Sequence, residues 1–321
     1  MQAVRVHEGG TLAYETCADP EPQGGEVLVE LRCAGLNRRD LLVTSGVYPF
    51  PLPLIPGSDG AGVRRDTSEE VVIYSALGWA AGAAFPGDDF QILGGPRDGT
   101  YAELVAVPAA NLMPKPQRFS WEEAAAFPLA ALTAYRALFT RGGLLGHETV
   151  LVLGAGSGVS TFAVQLASQH GARVLVTSSS DEKIERAREL GADTGVNYAS
   201  TADWPAAVKE LGGADLVLDA IGSTWQQSLD CLRGRGGRVV VFGGTGGTDV
   251  ALQVRSLYFA QQTLIGTMMG SPDDFAGLLR MAEQGTWRPV IDSVRPLSEA
   301  TAAVERMGTG AQFGKLVLTC D

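Results

Sequence analysis

The chain has 321 residues, a formal net charge of −11 and a sequence pI of about 4.8. Hydrophobic residues make up 45% and charged residues 19%, which is the balance of a globular rather than a disordered protein. The acidic charge argues against nucleic acid as a partner, because phosphate binding needs clustered Lys and Arg.

The sequence carries no membrane or metal signal. No apolar run reaches the roughly 18 residues needed to span a bilayer, and no apolar segment follows the start. We therefore expect a cytoplasmic protein that does not bind membranes. Metal-binding residue types are scattered without C-x-x-C spacing, so neither a zinc cluster nor a disulfide framework is predicted. These residues are Cys17, Cys33, Cys231, Cys320, His7, His147 and His170.

The first third of the chain predicts a β-rich domain. From Met1 to about Arg118, short β-rich runs alternate with turns that contain Gly and Pro. Runs at 26–33 and 101–107 are typical of strands in an antiparallel or barrel-like domain.

The middle of the chain, from 119 to 268, alternates β and α patterns and therefore predicts a doubly wound parallel sheet. The predicted strands are 150–153, 173–177, 195–197, 215–220, 238–242 and 263–267, and helices are predicted at 181–190 and 204–211. The tail, from 271, predicts a helix that ends near Gly285 and a final strand over 315–319.

The most informative motif follows the first strand of this middle region. A turn of small residues, Gly154-Ala155-Gly156-Ser157-Gly158, leads into a helical pattern that begins with Val159 and Ser160. Small residues let the backbone approach a pyrophosphate, and a helix N-terminus offers free N–H groups. The order strand, turn, helix, strand favours a dinucleotide site over an ordinary tight turn.

Two further glycine-rich strand ends are expected at the same crevice. They contain Ile221, Phe242, Gly243 and Gly244, although their glycines would also suit plain turns. Ligands of doubly wound sheets lie at the carboxyl ends of the strands, where the strand order reverses. A long ligand across that crevice is therefore predicted.

The end of the second strand indicates which dinucleotide is bound. NAD-binding chains place Asp or Glu there for the ribose 2′-hydroxyl. This chain has the uncharged run 177–180, with Ser178 and Ser179, and its first acid, Asp181, suits the start of the next helix. Lys183 and Arg186 follow and can pair with a 2′-phosphate, so NADPH is favoured over NADH. The alternative is that the serines form only a turn and Lys183 is a solvated helix residue.

Four ordered motifs support a family resemblance over nearly the whole chain. They resemble the medium-chain dehydrogenase/reductase superfamily, and specifically its zinc-independent quinone oxidoreductase-like branch. The resemblance implies a GroES-like catalytic domain over 1–118, completed by 269–321, and a Rossmann NADPH-binding domain over 119–268 with a six-stranded parallel sheet. The motifs are Ala34-Gly35-Leu36-Asn37-Arg38-Arg39-Asp40, Leu54-Ile55-Pro56-Gly57-Ser58-Asp59-Gly60-Ala61-Gly62, Asp98-Gly99-Thr100-Tyr101-Ala102-Glu103 and Phe127-Pro128-Leu129-Ala130-Ala131-Leu132-Thr133-Ala134-Tyr135.

The same resemblance bears on zinc. Zinc-bearing alcohol dehydrogenases of the superfamily carry Cys where this chain has Asn37 and His where it has Ser58. They carry Glu at the position of Asp59, and Cys or Asp near Leu129. Asn and Ser are poor zinc ligands and Leu is none, so the resemblance implies no metal.

The resemblance also assigns site residues. Ala155, Gly158 and Ser160 match the family's A-x-x-G-x-x-G fingerprint, with Ser160 in place of the last glycine, which is tolerable if its side chain turns away from the pyrophosphate. The predicted cofactor-binding residues are Thr133, Ala155, Gly156, Ser157, Gly158, Val159, Ser160, Ser178, Ser179, Lys183, Tyr198, Ile221, Phe242, Gly243 and Gly244, of which Ser178, Lys183 and Tyr198 hold the 2′-phosphate.

Substrate-pocket positions follow from the same comparison. Asn37 and Tyr48 match polar pocket residues near the nicotinamide, and Leu42 replaces a second pocket tyrosine of some bacterial quinone reductases. Met268 and Met269 follow the last sheet strand and would either line the pocket or pack in the core. The link 63–70 is shorter than the usual hairpin of relatives.

Metal-free hydride transfer requires an acceptor that is already electrophilic, such as a quinone or an α,β-unsaturated carbonyl. Asn37 and Tyr48 are the candidate donors to the anion that forms. Alternatively, Asn37 caps the helix that begins around Arg38 and Tyr48 packs beside a Pro-rich loop.

We therefore predict an NADPH-dependent reductase that acts on a small electrophilic substrate. The alternatives are an enoyl thioester or carbonyl reductase of the same branch, or a non-catalytic NADPH-binding redox sensor, whereas a Rossmann methyltransferase is disfavoured by the ordered N-terminal motifs. The apolar strand 263–267 is expected at a sheet edge, where it would build a homodimer.

Overall fold

The structure, a computed structural model, describes residues 1–320 and divides into two compact units. The first unit contains residues 1–132, 270–284 and the chain from 288, and the second contains 133–269 and 285–287. The predicted boundary after residue 118 therefore lies inside the first unit. The reason is that the segment after it packs three buried alanines, Ala124, Ala125 and Ala126, against the sheet of that unit.

The chain up to residue 135 forms nine strands and three helices. The strands are β1 (Gln2–Val6), β2 (Leu12–Thr16), β3 (Glu26–Gly35), β4 (Asp59–Arg64), β5 (Glu70–Ile73), β6 (Ala76–Leu77), β7 (Gln91–Ile92), β8 (Leu104–Pro108) and β9 (Leu112–Pro114). The helices are α1 (Arg38–Thr44), α2 (Trp121–Ala126) and α3 (Pro128–Tyr135), and α3 continues into a π-helical segment, Arg136–Arg141.

The following residues build six strands and five helices in alternation. The strands are β10 (Thr149–Val152), β11 (Arg173–Ser178), β12 (Thr194–Asn197), β13 (Leu216–Asp219), β14 (Arg238–Val241) and β15 (Thr263–Gly266). The helices are α4 (Gly158–Gln169), α5 (Asp181–Glu189), α6 (Trp204–Glu210), α7 (Trp225–Asp230) and α8 (Val254–Phe259).

The tail contributes four more elements to the first unit. They are α9 (Pro272–Gln284), β16 (Ile291–Pro296), α10 (Ala300–Thr309) and β17 (Lys315–Thr319).

The sheet of the second unit confirms the predicted doubly wound architecture. Its six strands run in the order β12-β11-β10-β13-β14-β15, and every pair is parallel. The strand order reverses between β10 and β13, so the crevice for a ligand opens at their carboxyl ends. Strand β10 is buried at all four positions, as a central strand covered by helices on both faces must be.

The sheet of the first unit joins distant parts of the chain. Seven strands take part, in the order β16-β17-β3-β4-β5-β9, with β8 paired to β3. Strand β17 lies antiparallel to the end of β3, with Leu318 opposite Ala34. The short link 63–70 forms the turn between β4 and β5, closed by a bond from the Arg64 N–H to the Glu69 carbonyl at 3.0 Å.

Predicted and observed elements agree within about two residues in the second unit and diverge in the tail. The final strand over 315–319 has the observed bounds, whereas β16 and α10 were not predicted. Strand β16 carries mostly half-buried residues, so it lacks a clear two-residue period.

No helix in the described part of the chain is long and apolar enough to cross a membrane.

Candidate active site

The glycine-rich turn between β10 and α4 has the backbone of a phosphate-binding loop. Gly154 and Gly156 take positive φ angles of 73° and 99°, which favour glycine. Ser157 caps α4 by accepting the Ser160 N–H at 3.1 Å. The Ser160 hydroxyl donates to the Gly154 carbonyl at 2.8 Å and is buried inside the turn. Ser160 therefore replaces the last fingerprint glycine without projecting from the loop.

Two loops at the carboxyl ends of β13 and β14 pack backbone against backbone. A Cβ on Gly222 would lie 2.1 Å from the Gly247 carbonyl oxygen, and one on Gly243 would lie 2.6 Å from that of Ala220. A Cβ on Gly154 would meet only the Ile221 side chain, at 3.8 Å. The glycine-rich turn is thus uncrowded at Gly154 and is bordered there by Ile221.

Asp219, at the end of β13, fixes the first of these loops. Its fully buried carboxylate accepts the N–H groups of Ile221 and Gly222 at 2.7 and 3.2 Å. It also accepts the hydroxyls of Thr224 and Ser228 at 2.8 and 2.7 Å. The loop is therefore rigid before any ligand binds, which lowers the entropic cost of binding.

The residues predicted to contact a 2′-phosphate lie around the carboxyl end of β11. Ser178 is buried there, and its carbonyl accepts the Tyr198 N–H at 3.0 Å. The Lys183 N–H is capped by the Ser180 hydroxyl at 3.3 Å, and the Lys183 side chain is half-buried. The first acid, Asp181, accepts from the Asn197 amide at 2.9 Å and belongs to the first turn of α5, as expected.

The remaining cofactor positions also belong to the second unit. Thr133 is buried, Ser179 is exposed, and Phe242 is half-buried with its N–H bonded to the Asp219 carbonyl at 3.1 Å. Of the two methionines proposed for the pocket, Met268 is exposed and Met269 is buried.

In the first unit, Asn37 belongs to a buried network with Asp59 and Lys315. The Lys315 ammonium donates to Asn37 Oδ1 at 2.6 Å and to Asp59 Oδ2 at 3.3 Å. Asn37 Nδ2 donates to Asp59 Oδ2 at 2.9 Å. Because an ammonium can only donate, the amide oxygen of Asn37 must face Lys315 and its NH₂ must face Asp59. The side chain of Asn37 is therefore held in one orientation, at the N-cap position of α1.

The charges of this network are far from water. Lys315 and Asp59 are 3% and 0% exposed in their side chains. Burial raises the pKa of the Asp59 carboxyl and the ammonium of Lys315 opposes that rise. Burial likewise lowers the pKa of Lys315, and Asp59 opposes it. Each charge is tolerated in the interior only because the other is present.

Asp40 provides a second buried carboxyl beside this network. Its Oδ2 accepts the Asn37 N–H and the Tyr101 hydroxyl, both at 2.8 Å, so Asp40 caps the start of α1. Its Oδ1 is buried without a hydrogen-bond partner in the described residues. Burial raises the pKa of Asp40, against the opposing charge of Arg39. Asp40 is thus a group that orders the start of α1.

Arg39 and Ser58 form a third polar contact. Arg39 Nη1 donates to the Ser58 hydroxyl at 2.7 Å and to the Leu93 carbonyl at 2.9 Å. Ser58 in turn donates to the same Leu93 carbonyl at 2.8 Å. A guanidinium therefore lies on the side chain that occupies the position of a zinc-ligating histidine.

Tyr48 and Leu42, the other predicted pocket residues of the first unit, lie at and after the end of α1. The Tyr48 N–H donates to the Leu42 carbonyl at 3.0 Å. The Tyr48 side chain is 42% exposed, and its ring centroid lies 6.4 Å from that of Phe50. Its hydroxyl has no hydrogen-bond partner in residues 1–320, so it is available to a ligand as well as packed beside the Pro-rich loop.

Comparison with known proteins identifies the family. Residues 23–117 match the family model described as alcohol dehydrogenase GroES-like domain, and residues 158–284 match the one described as zinc-binding dehydrogenase. The chain is 37% identical to a zinc-type alcohol dehydrogenase-like protein of Schizosaccharomyces pombe, over 92% of this chain and 91% of that protein. It belongs to the medium-chain dehydrogenase/reductase superfamily.

Other superfamily members are similar over their whole length. A quinone oxidoreductase of Pseudomonas aeruginosa is 34% identical, over 96% of this chain and 95% of its own. The crystal structure of an NAD-dependent alcohol dehydrogenase superposes with a TM-score of 0.90 at 36% identity, covering 99% of both chains. Oxidoreductase chemistry with a nucleotide cofactor is the common property of this superfamily.

Zinc, which part of the superfamily binds, does not fit the residues found here. At the positions of its ligands, Asn37 already accepts from an ammonium and Ser58 already accepts from a guanidinium. The nearby Leu129 offers only its main-chain N–H, which donates to Asp59 at 2.8 Å. A divalent cation would meet two positive charges, no imidazole from the described chain, and only the Asp59 carboxylate, whose oxygens are already taken by Lys315, Asn37 and the Leu129 N–H. Within residues 1–320, no group of three or more His, Cys, Asp and Glu side chains is arranged to hold a metal.

Sequence reasoning did not identify Lys315 and Arg39 as site residues. Lys315 had a detectable signal, because it begins an apolar strand, and a lysine there requires a buried acid. Arg39 gave no such signal, since an arginine in the first turn of a helix is usually solvated.

The Lys315–Asp59 pair predicts a stability pattern. Replacing Lys315→Met should lower the free energy of unfolding by about 3–5 kcal/mol, because Asp59 is left buried and uncompensated. The double variant Lys315→Met/Asp59→Asn should recover most of that loss, and Lys209→Met, on the exposed face of α6, serves as the control. Urea denaturation gives the free energy of unfolding of the wild type and of the three variants. Equal stability of the single and double variants would contradict the pairing.

Proposed function

We propose that this protein is a metal-free, NADPH-dependent reductase that transfers hydride to a quinone or an α,β-unsaturated carbonyl compound. The observation that carries the proposal is the pair of cations, Lys315 and Arg39, bonded to the side chains at the zinc-ligand positions. A site without a Lewis acid favours acceptors that are electrophilic without activation. The quinone oxidoreductase of Pseudomonas aeruginosa supports the same chemistry.

For a conjugated carbonyl compound, the reaction adds one hydride and one proton across the C=C bond. When bound, NADPH would supply a hydride for the β-carbon, and the C=C electron pair would move toward the carbonyl oxygen to give an enolate of the substrate. A proton from solvent then adds to the α-carbon, leaving the saturated carbonyl compound and NADP⁺. The residues of this chain would act by stabilising the enolate oxygen with preorganised donors.

Two donors are proposed for that oxygen. Asn37 donates one Nδ2 hydrogen to Asp59, and its second hydrogen makes no hydrogen bond within residues 1–320. Lys315 draws electron density from the amide oxygen and so strengthens the remaining N–H as a donor. Tyr48 adds an exposed phenol with no bond to the described chain.

We propose NADPH rather than NADH because of the residues at the carboxyl end of β11. No acid occupies Ser178 or Ser179, and Asp181 is engaged by Asn197. A half-buried Lys183 follows on α5 and supplies a positive charge for a 2′-phosphate.

We also propose a homodimer formed through residues 263–267. Strand β15 is bonded only to β14 and forms an edge of the sheet. The preceding helix α8 has no buried residue and exposes Val254, Tyr258 and Phe259 by 59–65%. No other strand of the described chain covers this edge, although Arg141 donates to the Gly266 carbonyl at 3.2 Å. A strand edge beside apolar side chains favours pairing with a second copy.

Cofactor preference is tested by fluorescence titration with NADPH and NADH. We expect NADPH to bind at least about tenfold more tightly, or about 1.4 kcal/mol. Lys183→Gln should reduce that ratio because it removes the cation opposite the 2′-phosphate, whereas Lys209→Gln should not. Equal binding of the two cofactors by the unmodified protein would remove the NADPH assignment.

Turnover is tested by following NADPH oxidation with 1,4-benzoquinone and with 3-penten-2-one. Tyr48→Phe should lower kcat by roughly tenfold to a hundredfold, because one donor to the anion is lost. Tyr14→Phe, an equally exposed tyrosine of the first unit, should leave kcat unchanged. Tight NADPH binding with no oxidation by these acceptors, an enoyl thioester or a simple ketone would favour the non-catalytic redox sensor instead.

The dimer is tested by light scattering after size exclusion. The N–H groups of Thr263 and Thr267 bond to the Gly237 and Val241 carbonyls, so alternation directs the Gly266 N–H to the open edge. Gly266→Pro should therefore convert a dimer to a monomer while NADPH binding persists. A monomeric wild-type protein at micromolar concentration would refute the proposal.

A further inference from the structure

The Arg39 guanidinium is held firmly on one side. Nη1 donates to the Ser58 hydroxyl at 2.7 Å and to the Leu93 carbonyl at 2.9 Å, and Nη2 makes one long bond to the Gly95 carbonyl at 3.4 Å. Three acceptors, one on Ser58 and two in the turn at Leu93–Gly95, leave the fork little freedom to rotate. The cation is therefore preorganised rather than a mobile surface arginine.

None of these acceptors carries a charge. Asp59 carries a charge in the neighbouring network, but its oxygens are engaged by Lys315, Asn37 and the Leu129 N–H. Asp40, its neighbour in sequence, is the carboxylate that acts most strongly on Arg39, but the two side chains make no ion pair. Among residues 1–320, Arg39 has no carboxylate in contact, which is costly for a charge withdrawn from water.

One edge of the guanidinium remains available. Nε donates to no described residue and is not sealed in the interior, and Nη2 has a second hydrogen that no described acceptor takes. Nε and Nη2 form a fork that matches the two oxygens of a carboxylate. The missing counterion is therefore a planar anion that approaches this edge.

Aromatic side chains flank the same region. A Cβ on Gly95, whose carbonyl contacts Arg39, would lie 2.4 Å from the Phe50 ring. Tyr48 is near enough to act electrostatically on the guanidinium. An anion bound beside two aromatic rings gains from an apolar organic body, which an inorganic ion lacks.

We propose that Arg39 binds a carboxylate of the acceptor, so that the preferred substrates are conjugated carbonyl compounds that carry a carboxylate group. This inference rests on the proposed reductase function and narrows its substrate class. Arg39 would set specificity, while Asn37 and Tyr48 would serve the reacting carbonyl. A purely structural Arg39 that only links α1 to Ser58 and the turn at Leu93–Gly95 would give no preference between charged and neutral acceptors.

The test compares (E)-4-oxopent-2-enoate with its methyl ester, two enones that differ in charge. The wild-type protein should have the higher kcat/KM with the acid. Arg39→Gln should reduce the acid-to-ester ratio of kcat/KM by roughly tenfold to a hundredfold, as expected for loss of a charge-assisted bidentate contact. Turnover of the ester reports whether the variant is folded. Arg38→Gln removes the same charge from an exposed neighbour on α1 and should leave the ratio unchanged.

Arg39→Lys covers the case in which Arg39→Gln fails to fold. Lysine keeps the positive charge but lacks the paired N–H groups of the guanidinium. The acid-to-ester ratio of kcat/KM should therefore lie between those of the wild type and a neutral variant. An unchanged ratio in every Arg39 variant would overturn the inference. An equal loss of kcat/KM with the acid and with the ester would also overturn the inference, because that result would assign Arg39 to the reacting carbonyl.

Calorimetric binding of 4-oxopentanoate, the saturated acid, separates the two proposals. Binding to the wild type that is lost in Arg39→Gln supports the carboxylate site even if no acceptor oxidises NADPH, in which case only the reductase proposal falls. Equal binding to both proteins, or to neither, would refute the carboxylate site even if NADPH oxidation is observed.

Discussion

The buried ion pair between Lys315 and Asp59 is the constraint on which the candidate site depends. It fixes the orientation of the Asn37 amide, because the only group that can face an ammonium is the amide oxygen. Through its other oxygen, Asp59 also holds the main chain at Leu129, at the start of α3. Two charges that would be costly alone thus join β17, β4 and the starts of two helices into one rigid assembly.

Much of the second unit could be predicted because its signals are local. Each strand from β10 to β15 is a short apolar run that ends at small residues, and the parallel order follows from the alternation with helices. The first unit depends on pairing between remote segments, and no local pattern specifies that β17 lies beside β3. The contact between Asn37 and Lys315 spans 278 positions and is therefore visible only in three dimensions.

The site was predicted in the same uneven way. The sequence located the glycine-rich turn between β10 and α4, but only the structure shows that the Ser160 hydroxyl bonds inward to Gly154. It located the end of β13, but not the four hydrogen bonds by which Asp219 orders the following loop. It proposed Asn37 as a pocket residue and missed Arg39, because exposure and partners depend on segments that lie far away in sequence.

The discontinuity of the first unit has a consequence for biosynthesis. Chains fold from the N-terminus as they leave the ribosome. All residues of the second unit have been made once residue 287 is added, whereas Lys315 follows later. Until then Asp59 has no ammonium to neutralise it, and a bare carboxylate favours hydration over burial. The second unit can therefore fold before the last strand of the first unit has been synthesised. The interior around Asp59 closes only once β17 is present.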